Sequence, residues 1–205
     1  MAAELGAEFV RVFGDTLPPA EDEANRDKVI SQVAAGLTSL AEYGIERNVQ
    51  VLIETHGDFS DSRAMQAMME QVECDNAGVL WDTHHPWRFC GEQLSKTFSR
   101  LKPWIRHTHW KDSVPRPKTD STTETEQAAA AAHALMSGHR HANYVLFGGG
   151  EFPAAEAMQL LQWSKYDGWY SLEWEKAWHP EIEDPEVALP LFPNKLRQLA
   201  TRSRG

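Results

Sequence analysis

The sequence predicts an α/β fold built on a parallel sheet, and three observations carry that prediction. Short apolar runs alternate with longer amphipathic stretches, the rhythm of strand and helix in βα units. Four of the five strand-like runs end on Glu, Asp or His. The interval from Glu54 to Asp82 is 28 residues and that from Asp82 to His109 is 27, about one βα unit each, while His109 to Glu173 takes 64.

In chain order, the first strand is expected at Phe9 to Val12 (FVRV). A helix follows over about Glu21 to Arg47, where Val29, Val33, Leu37, Leu40 and Ala41 recur at helical spacing. Val49 to Glu54 (VQVLIE) reads as the second strand, and Asp61 to Val72 as a helix that opens on Asp61 and Ser62 as capping residues. The third strand, Ala77 to Asp82 (AGVLWD), precedes a helix over Gly91 to Leu101; the fourth is Trp104 to His109 (WIRHTH). From about 112 to 143 the rhythm breaks into Pro, Thr, Ser and charge, with a helix-favouring QAAAAAHAL segment at Gln127 to Leu135, so this stretch reads as an inserted loop and helix. A helix at Ala154 to Ser164 and a fifth strand at Trp169 to Glu173 (WYSLE) complete the pattern. Residues 1–205 are accordingly expected to form a single domain.

Composition narrows the function. The chain has 205 residues, 41% hydrophobic and 24% charged, the profile of a globular protein with its own core. No apolar run approaches the roughly 20 residues that span a bilayer, and no basic-then-apolar leader opens the chain, so the expected address is the cytoplasm, away from the membrane. The net charge of −10 works against a nucleic-acid partner and favours a small-molecule ligand. The two cysteines, Cys74 and Cys90, fit neither a metal motif nor a disulfide framework.

In a parallel α/β barrel every strand points its C-terminal end at one face, where active sites are assembled from several strands. Glu54, Asp82, His109 and Glu173 would meet there, with Leu52, Leu80, His107 and Ser171 one pleat below on the same inward face. Three carboxylates and one imidazole suit a hard divalent cation: Mn²⁺ first, with Mg²⁺, Co²⁺ or Zn²⁺ as alternatives.

The strings LGAEFVRVFG, LIETHGDF, LWDTHH, IRHTHWKD, FGGGEFP and YDGWYSLEWE, in that order, resemble the xylose-isomerase-like TIM-barrel superfamily of sugar phosphate isomerases and epimerases. The resemblance implies that Glu54, Asp82, His109 and Glu173 hold one divalent cation and that Glu54 and Glu173 are the acid/base pair. His85, three residues after Asp82, is implied as a contact to a substrate hydroxyl. Such a site suits proton abstraction next to a carbonyl, where the cation stabilises the developing enediolate and two carboxylates move the proton between faces or carbons. The same enediolate can expel a β-substituent, so a lyase or dehydratase acting on a cyclitol or glycoside is the alternative, and a non-catalytic fragment that binds a metal or a partner is another. Apurinic-site endonucleases of the superfamily use a richer metal set and a basic groove, which the −10 charge disfavours.

Further candidates lie near these strand ends. His56, Lys111, Glu175, Trp87 and Trp110 are expected substrate contacts at the rim, with Trp178 and His179 as pocket-wall residues, and His107 either binds substrate or supports the metal site from below. The Gly148 to Gly150 loop would let backbone approach a ligand. A full barrel takes about 250 residues in eight βα units. Only about five are legible here, and FVRV resembles the family's fourth strand. An incomplete barrel exposes sheet edges, so the chain is expected to form a homo-oligomer or to be completed by another chain.

Overall fold

The computed structural model describes residues 1–115 and 142–202. The chain divides into two compact units, Met1–Thr108 and His109–Gly205. In the first, β1 (Phe9–Val12), β2 (Gln50–Glu54), β3 (Ala77–Asp82) and the start of β4 (Ile105–Trp110) are neighbours in that order. The first two pairings are parallel, with Arg11 opposite Leu52 and Glu54 opposite Leu80. β3 reaches β4 through the Val79 N–H, which donates to the Trp104 carbonyl at 2.8 Å.

Helix α1 (Glu23–Ile45) starts where the Asp22 carboxylate accepts the Asn25 N–H, satisfying a donor that has no partner within the helix. Its buried stripe is Ile30, Ala34, Leu37, Ala41 and Gly44. That stripe is turned slightly from the expected one: Val29 and Val33 flank it and Leu40 is 48% exposed, while the small Ala34 and Ala41 are buried. Helix α2 (Ser62–Met69) is capped by Asp61, whose carboxylate accepts the Arg63 N–H at 2.8 Å. It is latched to α4 (Leu94–Leu101) by Glu92, which accepts from the Ser62 N–H at 2.9 Å, the Ser62 hydroxyl at 2.5 Å and the Thr97 hydroxyl at 2.6 Å. Between β3 and α4 lies a short helix that the sequence reading lacks, α3 (His85–Cys90).

In the second unit the end of β4 runs into an antiparallel pair, β5 (Asp112–Val114) with β6 (Asn143–Val145). Helix α5 (Ala154–Trp163), strand β7 (Trp169–Leu172) and helix α6 (Pro185–Arg202) follow. β7 is the neighbour of β4, and the Glu173 N–H donates to the Trp110 carbonyl at 3.0 Å. The Gln162 amide donates to the Ala200 carbonyl at 3.0 Å, tying α5 to α6. All five expected strands are present, with bounds moved by a residue where they differ: β4 extends to Trp110, and Glu173 stands just past β7. The expected insertion at 112–143, with its helix at Gln127 to Leu135, lies outside the described residues except for its ends, which form the β5–β6 pair. Helix α6 has no counterpart in the sequence reading. Among the described residues no helix is long and apolar enough to cross a membrane.

Candidate functional site

In the first unit, Glu54 at the end of β2 and Asp82 at the end of β3 are both fully buried. They offer carboxylate oxygens within 4.8 Å of each other. Two buried carboxylates at that distance repel when both are ionised, so the pair calls for positive charge. One source is Arg11 on β1, whose Nη1 lies 3.0 Å from Glu54 Oε2. Asp82 is fixed by the turn that follows it: Oδ1 accepts the N–H groups of His84 and His85, each at 2.8 Å, and Oδ2 lies 3.6 Å from His85 Nε2.

His85 is oriented from its other side. Its Nδ1 is 2.9 Å from the Thr55 carbonyl, and a carbonyl only accepts, so Nδ1 is the donor there. His56 is 4% exposed, with its ring 4.6 Å from that of Phe13 and 5.4 Å from that of His85. Trp87 is half-buried beside His84, with the Arg88 guanidinium 4.3 Å from its ring centre. His107, also half-buried, meets the edge of Phe9 at 6.0 Å.

The second unit presents His109 near the end of β4 and Glu173 just past β7, with His109 Nδ1 3.6 Å from Glu173 Oε2. Lys111 is 1% exposed, and its ammonium lies 2.5 Å from Glu173 Oε2 and 2.9 Å from Glu175 Oε1. A residue expected to meet a ligand at the rim is thus engaged with two carboxylates inside the unit. Glu175 is backed by His179, whose Nε2 is 3.7 Å from its Oε2 and whose Nδ1 is 3.2 Å from Glu181. Trp110 is fully buried, edge-on to Phe147 and Phe152 and tilted against Tyr170. Because side chains alternate along β4, its ring faces away from the His109 side and packs the unit's core.

The glycine loop also differs from expectation. Its N–H groups close on the buried Asp112 carboxylate: Oδ2 accepts from Gly148 and Gly150, and Oδ1 from Ser113 and Phe152. A side chain at Gly150 would collide with Asp112 Oδ1. Sequence reasoning missed both Asp112 and Arg11. The signal for Arg11 was available, since alternation in FVRV puts Phe9 and Arg11 on the face shared with Leu52 and Glu54.

As a donor set, Glu54 with Asp82 and His109 with Glu173 fit a hard divalent cation by chemistry: carboxylate oxygens, one imidazole and no thiolate.

A family model described as xylose isomerase-like TIM barrel matches residues 1–190. An inosose dehydratase from Lacticaseibacillus casei is 25% identical over 181 residues, which is 87% of this chain and 54% of the relative. Among solved structures, an L-ribulose 3-epimerase superposes with a TM-score of 0.70 at 13% identity, covering 99% of this chain and 64% of that one. A xylose isomerase-like TIM barrel protein from Mycobacterium smegmatis, solved in complex with magnesium, gives 0.65 at 15% identity over 98% of this chain and 63% of its own. The chain spans about half the length of the curated relatives it matches.

Proposed function

Because this chain belongs to the xylose isomerase-like TIM barrel family, we propose that it carries the metal and acid/base residues of an enzyme acting next to the carbonyl of a sugar, sugar phosphate or cyclitol. Glu54, Asp82, His109 and Glu173 hold one divalent cation, with Mn²⁺ the first choice. The observation that carries the reading is the buried Glu54–Asp82 pair at adjacent parallel strand ends. A cation bound there supplies positive charge to the carbonyl and hydroxyl oxygens of the substrate.

The chain's own residues account for the remaining steps. Glu54 and Glu173 are the acid/base pair: one carboxylate removes the proton on the carbon next to the carbonyl, and the other delivers a proton to the opposite face or to the adjacent carbon. His85, held through Nδ1 by the Thr55 carbonyl, is a contact to a substrate hydroxyl. His56, Trp87 and Glu175 are further substrate contacts, and Lys111 supports Glu173. His107, against Phe9, supports the site from below.

Likeness to an inosose dehydratase over 87% of the chain supports a second outcome for the same enediolate, loss of a β-hydroxyl as water. The test is incubation in D₂O with Mn²⁺ and a panel of ketoses, inososes and their phosphates. Deuterium uptake next to the carbonyl, or release of water, is expected from one class of substrate and is lost in Glu54→Gln and Glu173→Gln. Uptake that persists in both variants would sink the assignment.

A further inference from the structure

We propose that Arg11 is a positioning residue for Glu54, and that Phe13 holds the Arg11 guanidinium in the plane from which it does so. The proposal rests on the reading of Glu54 as a metal ligand and acid/base residue. Glu54 has three rotatable side-chain bonds and, at the end of β2, a fully buried carboxylate. Something must choose its rotamer if it is to meet a cation and a substrate in one geometry.

The register of the sheet supplies the candidate. Arg11 sits opposite Leu52 on the neighbouring parallel strand, and Leu52 shares its face with Glu54, so the Arg11 side chain reaches along the sheet to Oε2 at 3.0 Å. Unlike the buried carboxylate, the Arg11 side chain is 41% exposed. A flexible, half-exposed arginine orients nothing unless it is itself held.

Phe13 does the holding. The guanidinium carbon lies 4.7 Å from the Phe13 ring centre, a separation at which a planar cation is drawn to an aromatic ring. That ring also meets His56, 4.6 Å away. The backbone that carries Phe13 is fastened on its C-terminal side. Gly14 lies so close to buried Phe59 that a Cβ would stand 2.5 Å from the ring. The Asp58 N–H donates to the Asp15 carbonyl at 3.1 Å, and the Leu17 N–H donates to Asp58 Oδ2 at 2.8 Å. The pinned loop thus carries a ring, 44% exposed and packed against His56, that lies against the guanidinium, and the guanidinium contacts the carboxylate.

Two effects of removing Arg11 oppose each other. Loss of a positive charge near the site would strengthen the binding of another cation, whereas loss of orientation would weaken it. The half-exposed guanidinium is screened by solvent, so orientation dominates. Partners that orient metal ligands typically account for about 10- to 100-fold in affinity.

The test is Mn²⁺ binding, followed by electron paramagnetic resonance, in the unmodified chain and in Glu54→Gln, Arg11→Met, Arg11→Lys and Phe13→Ala. Arg11→Met is expected to weaken binding by about 10-fold or more and to change the bound Mn²⁺ spectrum. Arg11→Lys should recover part of that loss, and Phe13→Ala, which leaves Arg11 in place, should weaken binding by a smaller factor. If Glu54→Gln removes binding while Arg11→Met stays within twofold of the unmodified chain, or binds more tightly, the inference is overturned and the function stands. If Glu54→Gln leaves binding unchanged, or the unmodified chain binds no Mn²⁺, both fall. Should Arg11→Met fail to fold, Arg11→Lys and Phe13→Ala decide the matter, and unaltered binding in both overturns the proposal.

Discussion

Replacing Asp112 by Asn tests how the second unit is held together next to the site. The Asp112 carboxylate is 1% exposed and accepts four backbone N–H groups, Oδ1 from Ser113 at 2.8 Å and Phe152 at 3.0 Å, Oδ2 from Gly148 and Gly150 at 3.0 Å each. Asparagine keeps the size and shape but turns one acceptor oxygen into an NH₂ donor. Whichever way the amide turns, two buried N–H groups face a donor. A hydrogen bond to a charged group contributes about 1.5–3 kcal/mol, so losing two should cost about 3–6 kcal/mol. Urea unfolding followed by tryptophan fluorescence would read this as a midpoint lowered by about 1–3 M at unchanged slope. Asp112 directly follows Lys111, so the same variant should also loosen the Lys111 contacts to Glu173 and Glu175. A loss below about 1 kcal/mol with an unchanged slope would show that the glycine loop does not depend on this carboxylate.

Three further outcomes follow from the same geometry. Gly14→Ala places a methyl group 2.5–2.8 Å from the ring of fully buried Phe59, and should lower stability by about 1–3 kcal/mol in thermal melts. Lys111→Met leaves Glu173 and Glu175 without the cation between them; since Glu173 is 22% exposed, the cost should lie near the lower end of the range for broken buried pairs, about 3 kcal/mol, read by urea unfolding. Burial raises the pKa of the Tyr170 hydroxyl above its ordinary value of 10.0. The unfolded chain then loses that proton first, so Tyr170 leaves stability unchanged below about pH 10 and lowers it as pH rises further, and one tyrosine should titrate late in ultraviolet absorbance.

The strands were legible because their apolar runs are short, separated by about one βα unit, and closed by Glu54, Asp82 and His109. Trp110, expected at the rim, lies instead in the core, because alternation along β4 turns it to the face opposite His109. Helix α3 has a start signal in Pro86 and a stop signal in Gly91, which adopts a left-handed conformation, but at six residues it is too short for periodicity to register. Helix α6 was hidden for the opposite reason: it contains Pro190 and Pro193, residues that normally end a helix. What alternation and spacing could not show was the pairing among charges. The contacts of Arg11 with Glu54, of Lys111 with Glu173 and Glu175, and of Asp112 with the glycine loop join residues 36 to 64 positions apart, and depend on which strands become neighbours.

Glu54, Asp82, His109 and Glu173 are proposed to hold one cation. Mn²⁺ titration of the chain by calorimetry tests it most directly. One ion is expected to bind per chain, with affinity lowered at least about 10-fold in each of Glu54→Gln, Asp82→Asn, His109→Gln and Glu173→Gln. Binding that survives unchanged in any of the four, or no binding at all, would contradict it.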